Sequence, residues 1–342
     1  MKILSFKGFC NLLSYYRRIL STLSFRRIGN ILKLKASFWI SALLGKNIHR
    51  GKPLSVSIEP VNYCNLHCQE CPVGSGKLTR KPGRMDIKNF KIMLEKLPRE
   101  TLYLTLYFQG EPYLNTLIFE MIKQAKKQKL FVSTSTNGHF LDPENTEKTV
   151  VSGIDEVIIS LDASTPESYL KYRIGGDFNK LIQGIQNLVD ARNSLKSATP
   201  LISLQFIVFS HNQNELKHAV SLSKKLKADI LEFKSAQHYD FEDGNPFMTS
   251  LDKYSRYRKT KDGKYIIKNA LRNRCYRMWS SCVITWDGNI IPCCYDKDAQ
   301  YSYGNLLYND FSTIWNGEKS NAFRKKILTA RKDQEICRNC TE

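Results

Sequence analysis

From residue 54 onward, short apolar runs alternate with longer stretches whose apolar residues recur every three to four positions. The first kind reads as buried strand and the second as amphipathic helix. The predicted strands are 54–61, 102–108, 130–136, 154–162, 201–209 and 229–234. Predicted helices 86–97, 114–128, 142–152, 179–195 and 214–226 lie between them, and Asn214 with Glu215 supplies a start signal for the last. Such alternation implies a parallel sheet with helices packed outside it. Six units rather than eight predict an α/β fold, a partial (β/α)6 TIM-like barrel. Barrels of this kind gather their chemistry at the C-terminal ends of the strands.

Two regions fall outside the alternation. Residues 4–45 mix apolar groups with Arg17-Arg18, Arg26-Arg27, Lys33 and Lys35. Leu12, Leu13, Tyr16, Leu20, Leu23 and Phe25 share roughly one helical face, which suits either an anionic membrane surface or packing on the main domain. Residues 240–274 read as a polar, basic connector. Beyond it, 283–286 and 290–292 read as two strands joined by the turn Asp287-Gly288-Asn289. The predicted organisation is a helical leader (1–50), a barrel (51–240), a connector (241–274) and a small cysteine-rich domain (275–342).

Charge sharpens the picture of the leader. The chain has 52 Lys and Arg against 32 Asp and Glu, a net +20. Eleven of those cations and no acid lie in residues 1–53, and the first carboxylate is Glu59. An anionic partner is implied. The longest apolar run in the leader, 36–45, is far short of the roughly 18 residues that span a bilayer. The start also lacks the apolar core and small-residue cleavage site of a secretion signal. A cytoplasmic chain is expected, with peripheral contact to anionic membrane through residues 1–45. In that compartment paired cysteines usually mean metal.

The ten cysteines sit at 10, 64, 68, 71, 275, 282, 293, 294, 337 and 340. Cys64, Cys68 and Cys71 form C-x3-C-x2-C directly after the first predicted strand. Three thiolates on one loop can hold three irons of a [4Fe–4S] cubane and leave the fourth iron open. The competing reading is zinc with His67 as fourth ligand, which the adjacency of His67 and Cys68 makes awkward. The six C-terminal cysteines suit zinc or iron–sulfur equally by themselves. Neighbours on a strand point to opposite faces, so only one of Cys293 and Cys294 should face a metal. Cys10, a lone thiol, is expected to be structural.

At this point the sequence resembles a known family. Cys64, Cys68 and Cys71, placed after strand one of a partial barrel, resemble the signature of the radical SAM superfamily. Gln109-Gly110-Glu111-Pro112 is similar to that family's GGEP motif, with Gln109 in place of the first glycine. Ser135-Thr136-Asn137-Gly138 follows strand three, Ser160-Leu161-Asp162 follows strand four, and Arg173 comes shortly after. The resemblance implies a cluster on the three cysteines and S-adenosylmethionine (SAM) at its open iron. SAM contacts are implied for Gln109, Gly110, Glu111, Ser160, Asp162 and Arg173. Glu70 departs from the family pattern, which often has an aromatic residue before the third cysteine.

The run Trp286-Asp287-Gly288 through Pro292-Cys293-Cys294, then Gly304-Asn305-Leu306, Ile314-Trp315-Asn316 and Cys337-x2-Cys340, resembles the SPASM or twitch extension of the same superfamily. It implies an auxiliary cluster. Six cysteines point to one auxiliary [4Fe–4S] cluster rather than two, on Cys275, Cys293, Cys337 and Cys340. Cys294 is the substitute for Cys293, and Cys282 a spare.

The implied activity is reductive cleavage of SAM to a 5′-deoxyadenosyl radical that takes hydrogen from a substrate, supported by a cytosolic electron donor. The substrate class is a peptide or protein; the alternatives are a carbohydrate or other small molecule, or a membrane-associated envelope precursor. No catalytic side chain is assigned, and Asp240, Glu242 and Asp243 are the acidic loop residues near the connector. The alternative from another class is a zinc-stabilised basic nucleic-acid-binding protein. No recognised reading module accompanies the charge, so no specific nucleic acid is expected.

Overall fold

A computed structural model describes the backbone of residues 2–4 and 6–341, and the side chains of residues 13 and 15–341. The reading of Cys10, and the part of the leader face assigned to Leu12, therefore lie outside the described side chains. A short strand β1 (Lys2–Leu4) leads into two helices, α1 (Phe6–Ser21) and α2 (Phe25–Leu44). Ser24 breaks the leader in two, because its side chain accepts the backbone N–H of Arg27 and so starts a new helix.

The barrel follows: β2 (Ser55–Ile58), α3 (Ile87–Lys96), β3 (Tyr103–Thr105), α4 (Ile118–Lys127), β4 (Phe131–Thr136) and α5 (Pro143–Val151). Then come β5 (Glu156–Ser160), α6 (Pro166–Tyr172), α7 (Phe178–Ser194), β6 (Leu201–Val208), α8 (Leu216–Lys225) and β7 (Ile230–Ser235). All six strands expected from the sequence form, and they pair in parallel in chain order from β2 to β7. Alternate strand residues supply the core, among them Val56, Ile58, Leu104, Val132, Val157, Ile159, Leu204 and Phe206, each essentially inaccessible. Helix starts are set by Asp86, Asp142, Thr165 and Asp177, whose side chains each accept a first-turn N–H. Thr165-Pro166 starts α6, a helix that the apolar spacing does not reveal.

The expected connector holds a small hairpin of β8 (Tyr257–Lys259) and β9 (Tyr265–Ile267) around Asp262 and Gly263. The remainder is α9 (Arg277–Ser280), β10 (Ser281–Ile284), β11 (Asn289–Ile291), β12 (Gly304–Asn305), α10 (Phe311–Trp315) and α11 (Glu318–Ala330). The expected hairpin is present, with Val283 opposite Ile291.

The partial barrel stays open, and both of its edges are covered. β1 pairs antiparallel with β7, while β10 pairs in parallel with β2 and carries β11 and β12 beyond it. The C-terminal region thus continues the barrel sheet, which covers edge groups that would otherwise be exposed. No described helix is long and apolar enough to cross a membrane.

Candidate functional site

The loop after β2 is shaped by close backbone contacts. Cys71 N–H donates to the Cys68 carbonyl at 3.1 Å, and Ser75 N–H to that of Cys71 at 2.8 Å. A Cβ on Gly74 would lie 2.4 Å from Cys68 N, so only glycine lets the loop fold back on itself. Gly110, with φ +73°, presses on the other side: a Cβ there would lie 2.6 Å from the carbonyl oxygens of Val61 and Tyr63. Cys64, Cys68 and Cys71 come together on this loop, each within electrostatic reach of another. Burial raises Cys64 to about 11 and also raises Cys68. Such thiols ionise only with positive charge beside them, which bound irons supply. Leu66 N–H donates to Cys64 Sγ at 3.4 Å, and Arg173 Nη1 to Cys68 Sγ at 3.5 Å.

His67 is exposed and lies against Gly175. Among the described residues no three Cys, His, Asp or Glu side chains converge as ligands of one ion. A cubane instead asks each thiolate to reach a different iron.

The other strand ends surround this loop. Asn137 Nδ2 donates to Asn65 Oδ1 at 2.8 Å and reaches Cys64 Sγ at 3.7 Å. Gln109 is buried beside Gly110, and Ser160 ends β5. Two of the expected SAM contacts have other duties. Glu111 is buried, and its carboxylate accepts from Thr136 Oγ1 (2.7 Å), Asn137 N–H (2.7 Å) and Tyr113 N–H (3.2 Å). Burial raises it to about 7 despite those donors. Asp162 accepts Ile207 N–H at 2.7 Å and both Nε (2.8 Å) and Nη2 of Arg173. These hydrogen bonds tie Glu111 to the ends of β3 and β4, and Asp162 to Arg173 and β6.

Of the C-terminal cysteines, Cys293 lies within electrostatic reach of Cys294, Cys275 and Cys337, and Cys340 within reach of Cys275 and Cys337. Arg331 donates to Cys340 Sγ at 3.4 Å and to the Arg274 carbonyl at 2.6 Å, holding the chain ahead of Cys275 in place. Cys294 is exposed and touches Arg277 at 3.7 Å. Cys282 is buried in β10 opposite Val56, apart from the other thiols, and burial raises it to about 12.

Sequence reasoning did not find what joins the two groups. Glu70 faces His238 Nδ1 at 3.4 Å and accepts Asn245 Nδ2 at 2.9 Å. His238 N–H donates to Tyr257 Oη (2.9 Å), which donates to Asn339 Oδ1 (2.8 Å) between Cys337 and Cys340. The departure at Glu70 was the signal for this link. Tyr107, which sits near Cys64 and Cys71, was also missed. A cleft of about 390 Å³ runs between the groups, lined by Pro72, Lys77, Tyr239, Tyr295, Lys297 and Asn339 among others. Lys297 Nζ lies 4.8 Å over the Tyr239 ring and donates to its hydroxyl. Asp240 and Asp243 are exposed and ion-paired with Lys77 and Lys264, and Glu242 lines the cleft.

Comparisons with known proteins agree with this arrangement. The family model described as the radical SAM superfamily matches residues 58–215, and that of the SPASM iron–sulfur cluster-binding domain matches 275–341. The tungsten-containing aldehyde ferredoxin oxidoreductase cofactor-modifying protein of Pyrococcus furiosus is 23% identical over 312 residues, covering 83% of this chain and 86% of that protein. The PqqA peptide cyclase of Gluconobacter oxydans is 23% identical over 307 residues, covering 84% and 82%. Among solved structures, Streptococcus suis SuiB bound to precursor peptide SuiA superposes with TM-score 0.62 at 13% identity, covering 86% of this chain and 72% of that one.

Proposed function

From the premise that this chain belongs to the radical SAM superfamily and carries a SPASM domain, we propose that it modifies a peptide or protein held between two iron–sulfur sites. As an enzyme of that superfamily it uses a [4Fe–4S] cluster and SAM, with auxiliary iron–sulfur in the SPASM domain. When bound, the cluster supplies the electron that splits SAM and so generates the 5′-deoxyadenosyl radical that takes hydrogen from substrate.

Cys64, Cys68 and Cys71 hold the SAM-binding cluster in this reading. Its support is the collection of three thiols on the glycine-clamped loop at the strand ends. Gln109, Gly110 and Ser160 offer backbone and side-chain polar groups to SAM. Arg173 pairs with its carboxylate, since a guanidinium suits that partner. Asp162 and Glu111 are positioning residues: Asp162 fixes Arg173, and Glu111 fixes the ends of β3 and β4. Cys275, Cys293, Cys337 and Cys340 hold one auxiliary [4Fe–4S] cluster. Cys282 packs in the core and Cys294 stays outside.

The cleft at Tyr239 and Lys297 is the substrate's place, because Pro72 follows Cys71 and Asn339 lies between Cys337 and Cys340. A peptide is favoured by the relatives that act on one or bind one, PqqA peptide cyclase and SuiB. The basic leader adds peripheral contact with anionic membrane. In this reading residues 1–50 are the leader, 51–240 the barrel, 241–274 the connector and 275–342 the auxiliary domain, whose β10 pairs with β2 of the barrel sheet.

Anaerobic reconstitution followed by SAM and dithionite tests the reading without a known substrate. Release of 5′-deoxyadenosine is expected from the wild type. Joint Cys64→Ala, Cys68→Ala and Cys71→Ala substitution should bring it to background; release that persists in that variant overturns the assignment.

A further inference from the structure

Helix α2 is turned inside out. Its protein-facing side carries Arg27, Asn30, Ser37 and Ser41 alongside Leu34 and Phe38, all buried. Each polar group on that side is satisfied locally. Arg27 donates to the carbonyls of Arg99 (3.1 Å) and Thr22 (2.5 Å). Asn30 exchanges two hydrogen bonds with Lys52 (2.9 and 2.8 Å), Ser37 donates to the Arg50 carbonyl (3.2 Å), and Ser41 accepts Ile48 N–H (2.9 Å). The opposite side carries Phe25, Ile28, Leu32, Trp39 and Leu43, exposed by 97, 43, 63, 57 and 85%. At 100° per residue these five fall within about 60° of arc, and Lys33 and Lys35 flank them, one on each side. A surface helix of a globular domain places these classes the other way round. Leu13, Tyr16 and Leu20 of α1 are exposed as well.

The position of the face is defined by the barrel. Tyr15 packs 4.8 Å from Phe131, the first residue of β4. Arg18 reaches the Ala198 carbonyl (2.6 Å) and Asp155 (3.7 Å), just ahead of β6 and β5. Arg26 pairs with Glu100 ahead of β3 at 2.6 Å, and Phe38 packs 5.5 Å from Trp279 ahead of β10. Helices α1 and α2 therefore floor the N-terminal end of the barrel, opposite the loop of Cys64, Cys68 and Cys71 that follows the C-terminal end of β2, while Arg274 and Tyr276, on either side of Cys275, pack on Trp39 and Phe38.

We propose that the outward face of α2 docks on an anionic lipid bilayer, with the helix lying in the interface and the barrel mouth turned toward water. The proposal deepens the leader's membrane role stated above and does not depend on either cluster site. Charge complementarity selects this occupant: residues 1–53 hold eleven Lys and Arg and no acid, and although Arg18, Arg26 and Arg27 turn to the barrel, Lys33 and Lys35 flank the face. A basic helix with an apolar face inserts to the level of the headgroups. Trp39 suits that depth, with Arg274 5.2 Å over its ring. Lys33 and Lys35 can extend their stems to lipid phosphates.

The test uses the full-length reconstituted protein in flotation with vesicles of phosphatidylcholine alone or with phosphatidylglycerol. Co-flotation with the anionic vesicles is expected, together with a blue shift of tryptophan emission that Trp39→Phe removes; of the other three tryptophans, Trp279 and Trp315 are buried and Trp286 is half-buried. Joint Phe25→Ser, Leu32→Ser, Trp39→Ser and Leu43→Ser substitution should weaken association more than about a hundredfold and leave circular dichroism and 5′-deoxyadenosine release unchanged. Joint Lys33→Glu and Lys35→Glu should weaken binding to anionic vesicles by about tenfold or more and leave neutral vesicles unaffected. Wild-type protein that ignores both vesicles overturns the proposal, as does a serine variant that binds like wild type. A dimer that the serine variant breaks, without vesicle binding, assigns the face to a second copy instead. Release of 5′-deoxyadenosine in solution reports the cluster reading separately.

Discussion

The two thiol groups differ in how much of the chain each requires. Cys64, Cys68 and Cys71 come from one loop, held by its own turns and by Gly74 and Gly110. Cys275, Cys293, Cys337 and Cys340 come from three separate segments, brought together by the sheet, by Arg331 and by the packing of α11. Each group has a guanidinium beside it, Arg173 in one and Arg331 in the other. The first group is a local structure, with a ligand position left over for SAM. The second is a tertiary structure whose four thiols can close a cluster completely.

Iron analysis tests this contrast at its largest. Joint Cys337→Ala and Cys340→Ala should remove roughly half of the eight irons expected of two cubanes and still release 5′-deoxyadenosine. Loss of both readouts would join the two groups into one unit.

Asp162→Asn comes next, because Arg173 is buried and keeps its charge. The Michaelis constant for SAM should rise about tenfold as Arg173 loses its anchor. Iron at the C-terminal group should stay unchanged. An unaltered SAM dependence would remove Asp162 from the positioning role.

The tertiary dependence of the second group is open to a pH test through His49, packed between Trp279 and Trp315. Burial, then Arg324, lowers this imidazole from 6.5 to about 3. Above pH 6.5 the ring is neutral folded and unfolded, so it adds no pH dependence. As pH falls from 6.5 toward 3, the unfolded chain takes up a proton that the folded chain refuses, and stability falls by on the order of a few kcal/mol. Chemical denaturation of the wild type across that window should show the slope, and His49→Phe should flatten it. The smallest effect is expected from Cys282→Ala: about 1 kcal/mol of stability and no change in iron.

The same contrast explains what could be read in advance. The first group is contiguous, so its spacing carried the chemistry, and the six strands were visible because each is a short apolar run. The choice of Cys275, Cys293, Cys337 and Cys340 followed from the resemblance. Partnerships across long separations left no local mark. Glu111 and Asp162 looked like free acids at strand ends, yet their partners lie in other units of the barrel. The inverted face of α2 was hidden for a related reason. Its buried polar groups bind the backbone of residues 48–52 and, through Arg27, that of Thr22 and Arg99, and periodicity alone cannot say which side of a helix faces inward.

The central ladder of the sheet joins the two domains. β10 pairs with β2 from Ser281 opposite Ser55 to Ile284 opposite Ile58; β2 leads to the loop of Cys64, and β10 follows Cys275 through α9. Glu59 then fastens Arg80 with two bonds of 2.7 Å, and Arg80 holds the Lys297 carbonyl at 2.7 Å. Backbone pairing therefore ties the placement of the loop after β2 to that of the segment before β10, so the two are set together when the sheet forms.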